Sequence, residues 1–117
     1  MLEYEQYKLE LQGQEKAITD LEASLDIAGK KQQIAELEAQ ASAQDFWDDM
    51  EKSQKVLQKT KQLKDKVAAY EELKTAWEDA IVLIDLANEE NDESMKDEIK
   101  KTVEDITARV EKMTLET

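Results

Sequence analysis

One stretch, residues 48–88, constrains the fold more than any other. Val56, Thr60, Leu63, Val67, Tyr70, Trp77, Ile81 and Ile84 recur along it at intervals of four, three, four, three, seven, four and three. That spacing keeps one stripe on one side of an α-helix. At 1.5 Å of rise per residue, ~40 helical residues make a rod roughly 60 Å long, far beyond an average helix. Such a rod does not stand in water with its stripe exposed. Leu57, Leu73, Ala80, Leu83 and Ala87 lie beside the stripe and widen it, so the rod calls for more than one partner helix rather than a narrow two-stranded seam.

Composition closes off the other fold classes. The chain has 117 residues, enough for one domain with a modest core, and 40% of them are hydrophobic. With no proline and two glycines, it lacks the residues that make the tight turns of a sheet protein, so the expected class is all-α. A net charge of −13 opposes any broad electrostatic grip on nucleic acid and leaves protein partners, or RNA touched at a local basic spot. The absence of cysteine removes disulfides and fits a cytoplasmic location. No apolar run reaches the ~20 residues that span a bilayer, and the acidic start carries no signal-peptide pattern, so no membrane partner is expected.

In chain order, the spacing predicts helices over about 2–25, 30–41, 48–88 and 94–115. The first carries Tyr4, Tyr7, Leu11, Ile18, Leu21 and Leu25, with Gln14 as the one polar turn of its stripe and Gly13 as a local weak point. Asp26 is a candidate cap or turn residue, and Gly29 can take positive φ, so a break is expected between them. The second helix turns Ile34, Leu37 and Ala41 inward. Ser42 with Asp45, and Asp48 with Glu51, have capping-box spacing, which predicts a chain reversal at Asp45-Phe46-Trp47-Asp48-Asp49. The adjacent aromatics there either plug the end of the bundle or form an exposed partner-binding pair. Ser94 and Asp97 have the spacing to cap the last helix, whose stripe is Met95, Ile99, Val103, Ile106, Val110 and Met113. Helix lengths predict an antiparallel up-down bundle: the second helix against the start of the long one, the first and last flanking its second half around Trp77, Ile81 and Ile84. The half near residues 52–63 is then thinly covered, where an isolated chain is open to pairing with a second copy.

Chemistry is poorly supplied. Without histidine or cysteine, the commonest general base, the thiol nucleophile and the usual zinc ligands are missing. Glu89, Glu90, Asp92 and Glu93 read as an acidic loop; they lack the glycine of a calcium loop. No catalytic residue, cofactor or metal site is expected. Lys52, Lys55, Lys59, Lys61, Lys64 and Lys66 form the one basic cluster, and Lys52, Lys59 and Lys66 share a flank at seven-residue steps. The cluster is either a solvated face pairing with Glu51 and Asp65, or a candidate contact patch for RNA phosphate or an acidic protein surface, centred on Lys52, Lys55, Lys59 and Lys66.

These residues carry a resemblance. Leu25-Asp26-Ile27, then Ile34-Ala35-Glu36-Leu37-Glu38, then Asp45-Phe46-Trp47-Asp48-Asp49 followed by Val56-Leu57 and a long helix, resemble the N-terminal helical domain of bacterial peptide chain release factor 2. The aromatic run is the most specific part, and Gln44 stands where the family commonly has proline. The resemblance implies a single helical domain, residues 1–117, belonging to a longer cytoplasmic factor of translation termination. It implies the ribosome as partner, at the base of the large-subunit stalk, with stop-codon mRNA met only through domains outside this chain. The family's Ser-Pro-Phe and Gly-Gly-Gln motifs have no counterpart here. The competing expectation is a free-standing helical adaptor or coiled-coil protein unconnected with translation.

Overall fold

Forty residues, Met50–Glu89, form a single α-helix in the computed structural model, which describes residues 1–117. In chain order the α-helices are α1 (Leu2–Gln12), α2 (Glu15–Ser24), α3 (Ile27–Ala41), α4 (Met50–Glu89) and α5 (Lys96–Glu116), with 3-10 turns at Phe46–Asp48 and Glu93–Met95 and no strand. The chain divides into two compact units, residues 1–25 with 71–117, and residues 26–70; α4 contributes to both.

The covered positions of α4 follow that division. Ser53, Val56, Thr60, Leu63, Val67 and Tyr70, and then Leu73, Trp77, Ala80, Ile84 and Ala87, are buried or half-buried. Each run steps regularly in threes and fours, and the runs meet with two successive threes at Tyr70. Leu73, expected beside the stripe, is fully buried and fills the seven-residue interval before Trp77. Leu57, expected beside the same stripe, is 42% exposed.

In the first unit, α1 runs antiparallel to α4. The Met1 amine bonds the Asn88 side chain, Lys8 pairs with Asp85 at 2.7 Å, and the Trp77 indole N–H donates to the Leu11 carbonyl at 2.6 Å. Against α5 the order is parallel: Lys96 Nζ lies 3.4 Å from Glu3, the Tyr4 hydroxyl donates to the Asp92 carbonyl at 2.5 Å, and Gln14 Nε2 donates to Thr107 at 2.7 Å. Tyr4, Leu11, Leu73, Ile84, Ile99 and Ile106 form its most deeply buried layer, each contributing on the order of 1.5–3 kcal/mol of apolar burial. This is the up-down three-helix section that the lengths predict.

Two helix ends differ from expectation here. The first helix is broken between α1 and α2 at Gly13 and Gln14, both still right-handed. The Gln14 N–H closes a tighter bond to the Leu11 carbonyl at 3.0 Å, and that same oxygen takes the Trp77 indole. A tertiary donor thus enters the helix ladder, a recognised cause of a helix break. At the other end, Asp92 rather than Ser94 supplies the cap before α5, its carboxylate accepting from the Ser94 N–H at 2.9 Å. Asn91 before it has φ 50, and the Asp92 N–H reaches back to the Ala87 carbonyl at 2.9 Å. That left-handed closure satisfies the last carbonyls of α4.

The second unit is an antiparallel hairpin of α3 and the start of α4, with Lys64 and Glu38 paired across it at 2.8 Å. Ile27, Thr60, Leu63, Val67 and Tyr70 are its buried residues besides Ser53, while Ile34, Leu37, Ala41 and Val56 are only half-buried. Two helices cannot close around a stripe, so this cover is thin. The break before α3 lies at Asp26, whose φ of 49 is left-handed, and α3 begins at Ile27 rather than Lys30. Gly29 is inside the helix without positive φ; its N–H donates to Asp26 Oδ1 at 3.2 Å. The glycine serves close approach, not backbone freedom.

Candidate functional site

The sequence-predicted residues all fall in the hairpin unit, at its connecting turn and on α4. At the turn, Ser42 closes α3 by donating to the Glu38 carbonyl at 2.9 Å, so it ends one helix instead of starting another. Tight bonds follow: Phe46 N–H to the Ala43 carbonyl and Asp48 N–H to the Asp45 carbonyl, each 3.1 Å. Asp49 is extended, and its carboxylate accepts from the Lys52 N–H at 3.1 Å. Asp49, not Asp48, is therefore the cap of α4, and it holds one of the otherwise orphaned N–H groups at that end.

Ser53 is the residue that sequence reasoning missed. It is fully buried, with its hydroxyl between the Phe46 carbonyl and the Asp49 carbonyl, the latter at 2.8 Å. One hydroxyl proton shared between two turn carbonyls pins the reversal to the first turn of α4. Its place three residues before Val56, in step with the stripe, is the signal that locates it. The aromatic pair is divided: Phe46 is half-buried while Trp47 is 54% exposed, with ring centroids 5.0 Å apart and planes at 80°. One ring braces the turn and the other is presented to solvent, an edge-to-face pair in which each orients its neighbour. Asp45 and Asp48 are exposed beside them and share a groove of about 490 Å³ with Lys52 and Val56.

Lys52, Lys55, Lys59 and Lys66 are all exposed on α4, but they do not behave alike. Lys55 reaches Glu51 at 3.5 Å, Lys61 reaches Asp65 at 2.7 Å and Lys64 reaches Glu38 at 2.8 Å. Exposed pairs of this kind add little stability, but they do neutralise the charges involved. Lys52, Lys59 and Lys66 have no carboxylate within ion-pairing distance. Lys59 and Lys66 line a groove of about 300 Å³ with Lys30, Gln33 and Gln62. The groove along Leu57 and Thr60, about 550 Å³, is balanced by Glu38 and Asp65 against Lys61 and Lys64.

Groups with displaced pKa values lie elsewhere, on α1 and α2. Glu3 is held below the ordinary carboxyl value by a backbone N–H bond and then by Lys96. Tyr4 is pushed up by burial and by the Asp92 charge, and Lys16 is raised by its bond to Asp20. What the turn and the lysine flank can do chemically is make contact: one aromatic face, solvated acids and a cationic edge.

Known proteins identify the family of the chain, not the role of these residues. A family model described as the PCRF domain matches residues 30–117. A peptide chain release factor 2 from an Exiguobacterium species is 33% identical over 115 residues, covering 98% of this chain and 31% of the relative. Peptide chain release factor 2 of Clostridium perfringens is 36% identical over 100 residues, 86% of this chain and 27% of the relative. That of Staphylococcus saprophyticus is 31% identical over 115 residues, 98% and 31% respectively. The chain thus spans about a third of the length of these curated relatives. No solved structure matches it.

Proposed function

The chain belongs to the PCRF-domain family, and from that membership we propose that it is the helical accessory domain of a class I peptide chain release factor of the release factor 2 kind, acting in translation termination. The observation that carries the reading is the extent of the likeness: relatives named peptide chain release factor 2 align along 98% of the chain. In this reading its partner is the ribosome, at the base of the large-subunit stalk, in the cytoplasm. Stop-codon reading and peptidyl-tRNA hydrolysis belong to parts of the factor outside these 117 residues, and this segment is not itself an enzyme.

The physical character of the chain supports a contact role. It has neither histidine nor cysteine, and its most distinctive turn offers an exposed indole beside solvated carboxylates rather than a buried acid–base pair. Phe46 and Ser53 act as bracing for that turn, and Trp47 as its contact face. The thin cover of the hairpin, with Leu57 exposed, also suits pairing of an isolated chain with a second copy, which sedimentation equilibrium over a concentration series tests.

Co-sedimentation with purified ribosomal subunits tests the docking role. The expected result is saturable pelleting with large subunits and none with small subunits; equal or absent pelleting with both overturns it. The adaptor alternative is separated by the coding sequence beyond Thr117. β-rich domains bearing Ser-Pro-Phe and Gly-Gly-Gln support the release-factor reading, and their absence overturns it.

A further inference from the structure

The α3–α4 hairpin carries a row of cations that its own carboxylates leave unanswered. Lys52, Lys59 and Lys66 stand at seven-residue steps within one helix, so they share a flank and lie about 10 Å apart along the axis at 1.5 Å per residue. None of the three has an acidic partner, although Lys55, Lys61 and Lys64 of the same helix are each paired. Across the groove beside Lys59 and Lys66, α3 contributes Lys30 and Gln33. The one acid of that groove, Asp26, is turned to the Gly29 N–H at 3.2 Å. In a chain with 29 acidic and 16 basic residues, carboxylates to pair these lysines are not scarce. Asp45 and Asp48 line the groove beside Lys52, yet none of the three lysines closes an ion pair, which leaves their ammonium groups available to an external anion.

We propose that this row is a docking strip for the sugar–phosphate backbone of RNA. The inference rests on the ribosome-docking reading, which makes RNA the available polyanion, and it narrows that reading to one flank of one hairpin. Charge density favours RNA over an acidic protein surface, because every nucleotide carries a phosphate whereas surface carboxylates are interspersed with uncharged and basic side chains. Lysine is suited to such a contact, since its ammonium is a compact point charge that meets phosphate oxygens without the bidentate geometry arginine imposes. The Gln33 amide can donate to a phosphate oxygen or a ribose 2′-hydroxyl. The acidic remainder of the chain repels RNA, which confines contact to the strip and makes it orienting rather than tight.

The test is fluorescence polarisation of a labelled RNA hairpin, with a stem of about 16 base pairs, titrated with the chain over a series of KCl concentrations. Binding is expected at low salt, with log K falling against log[KCl] at a slope of about −2 to −3 for three phosphates. The variant Lys52→Gln/Lys59→Gln/Lys66→Gln should lose about tenfold or more in affinity at the lowest salt and most of that slope. The control Lys55→Gln/Lys61→Gln/Lys64→Gln removes the same formal charge from paired lysines and should change affinity less than about twofold. Far-UV circular dichroism verifies that both variants are folded. Equal losses in the two variants, no binding by the wild-type chain at the lowest salt, or displacement of the RNA by polyglutamate at equal charge would each overturn the proposal. Its failure is distinguishable from failure of the docking role. Large-subunit pelleting that survives the first variant keeps the docking and discards the strip; RNA binding through the strip without pelleting does the reverse.

Discussion

Gly29→Ala, made in two backgrounds, tests why a glycine stands in the first turn of α3. An added Cβ would sit 2.1 Å from Asp26 Oδ2 and 2.7 Å from its Cγ, so the carboxylate must swing away and release the Gly29 N–H. Loss of such a cap costs about 1 kcal/mol. Against that, alanine in place of a glycine with compatible backbone returns ~0.4–1 kcal/mol, mainly by restricting the unfolded chain. The two effects nearly cancel in the native background. With Asp26→Gly the left-handed position at φ 49 is kept without strain and no carboxylate remains to be displaced. There Gly29→Ala should stabilise by the whole ~0.4–1 kcal/mol, giving a coupling of about 1 kcal/mol in the double-mutant cycle. Urea unfolding followed by circular dichroism at the helix band reads it as midpoint times slope. If Gly29→Ala shifts stability equally in both backgrounds, to within about 0.3 kcal/mol, the steric account of this glycine is wrong.

Gly13 should behave oppositely: φ is −64 and the nearest atoms to an added Cβ are the Leu9 and Glu10 carbonyls at 3.4 Å, so Gly13→Ala should raise stability by ~0.5 kcal/mol, and a lower urea midpoint would contradict this. Trp77→Phe removes the donor to the Leu11 carbonyl and should cost about 1 kcal/mol, whereas Trp47→Phe should cost under about 0.5 kcal/mol and leave a protein with blue-shifted emission from the remaining indole. A red-shifted Trp47→Phe protein would place Trp77 in water and refute the packing. The Tyr4 phenol, raised above its ordinary 10.0 by burial and the Asp92 charge, binds its proton more tightly folded than unfolded. Its contribution is therefore complete below pH 10 and lost as pH rises through the folded value, so alkaline unfolding should be delayed in Tyr4→Phe; phenolate absorbance with circular dichroism checks it, and an unchanged alkaline transition would exclude Tyr4 as its source.

Much of the architecture is local information and was legible as such. Absence of proline, scarce glycine and stripes in threes and fours determine an all-α chain, a helix of some forty residues and the reversal at the Asp-Phe-Trp-Asp-Asp run, because side-chain spacing alone decides which face of a helix is apolar. Spacing does not decide which long-range partner each group meets. Leu73 enters the core instead of standing beside it, and the Leu11 carbonyl goes to an indole 66 residues away, which breaks a helix whose stripe reads as continuous. The candidate site divides in the same way. Its residue types stand in one short stretch of sequence, yet only the packed hairpin turns Phe46 inward and Trp47 outward, draws Glu38 from α3 onto Lys64, and leaves Lys52, Lys59 and Lys66 clear. Periodicity is a property of one helix; burial and ion pairing belong to at least two, and that second helix is what tertiary structure supplies.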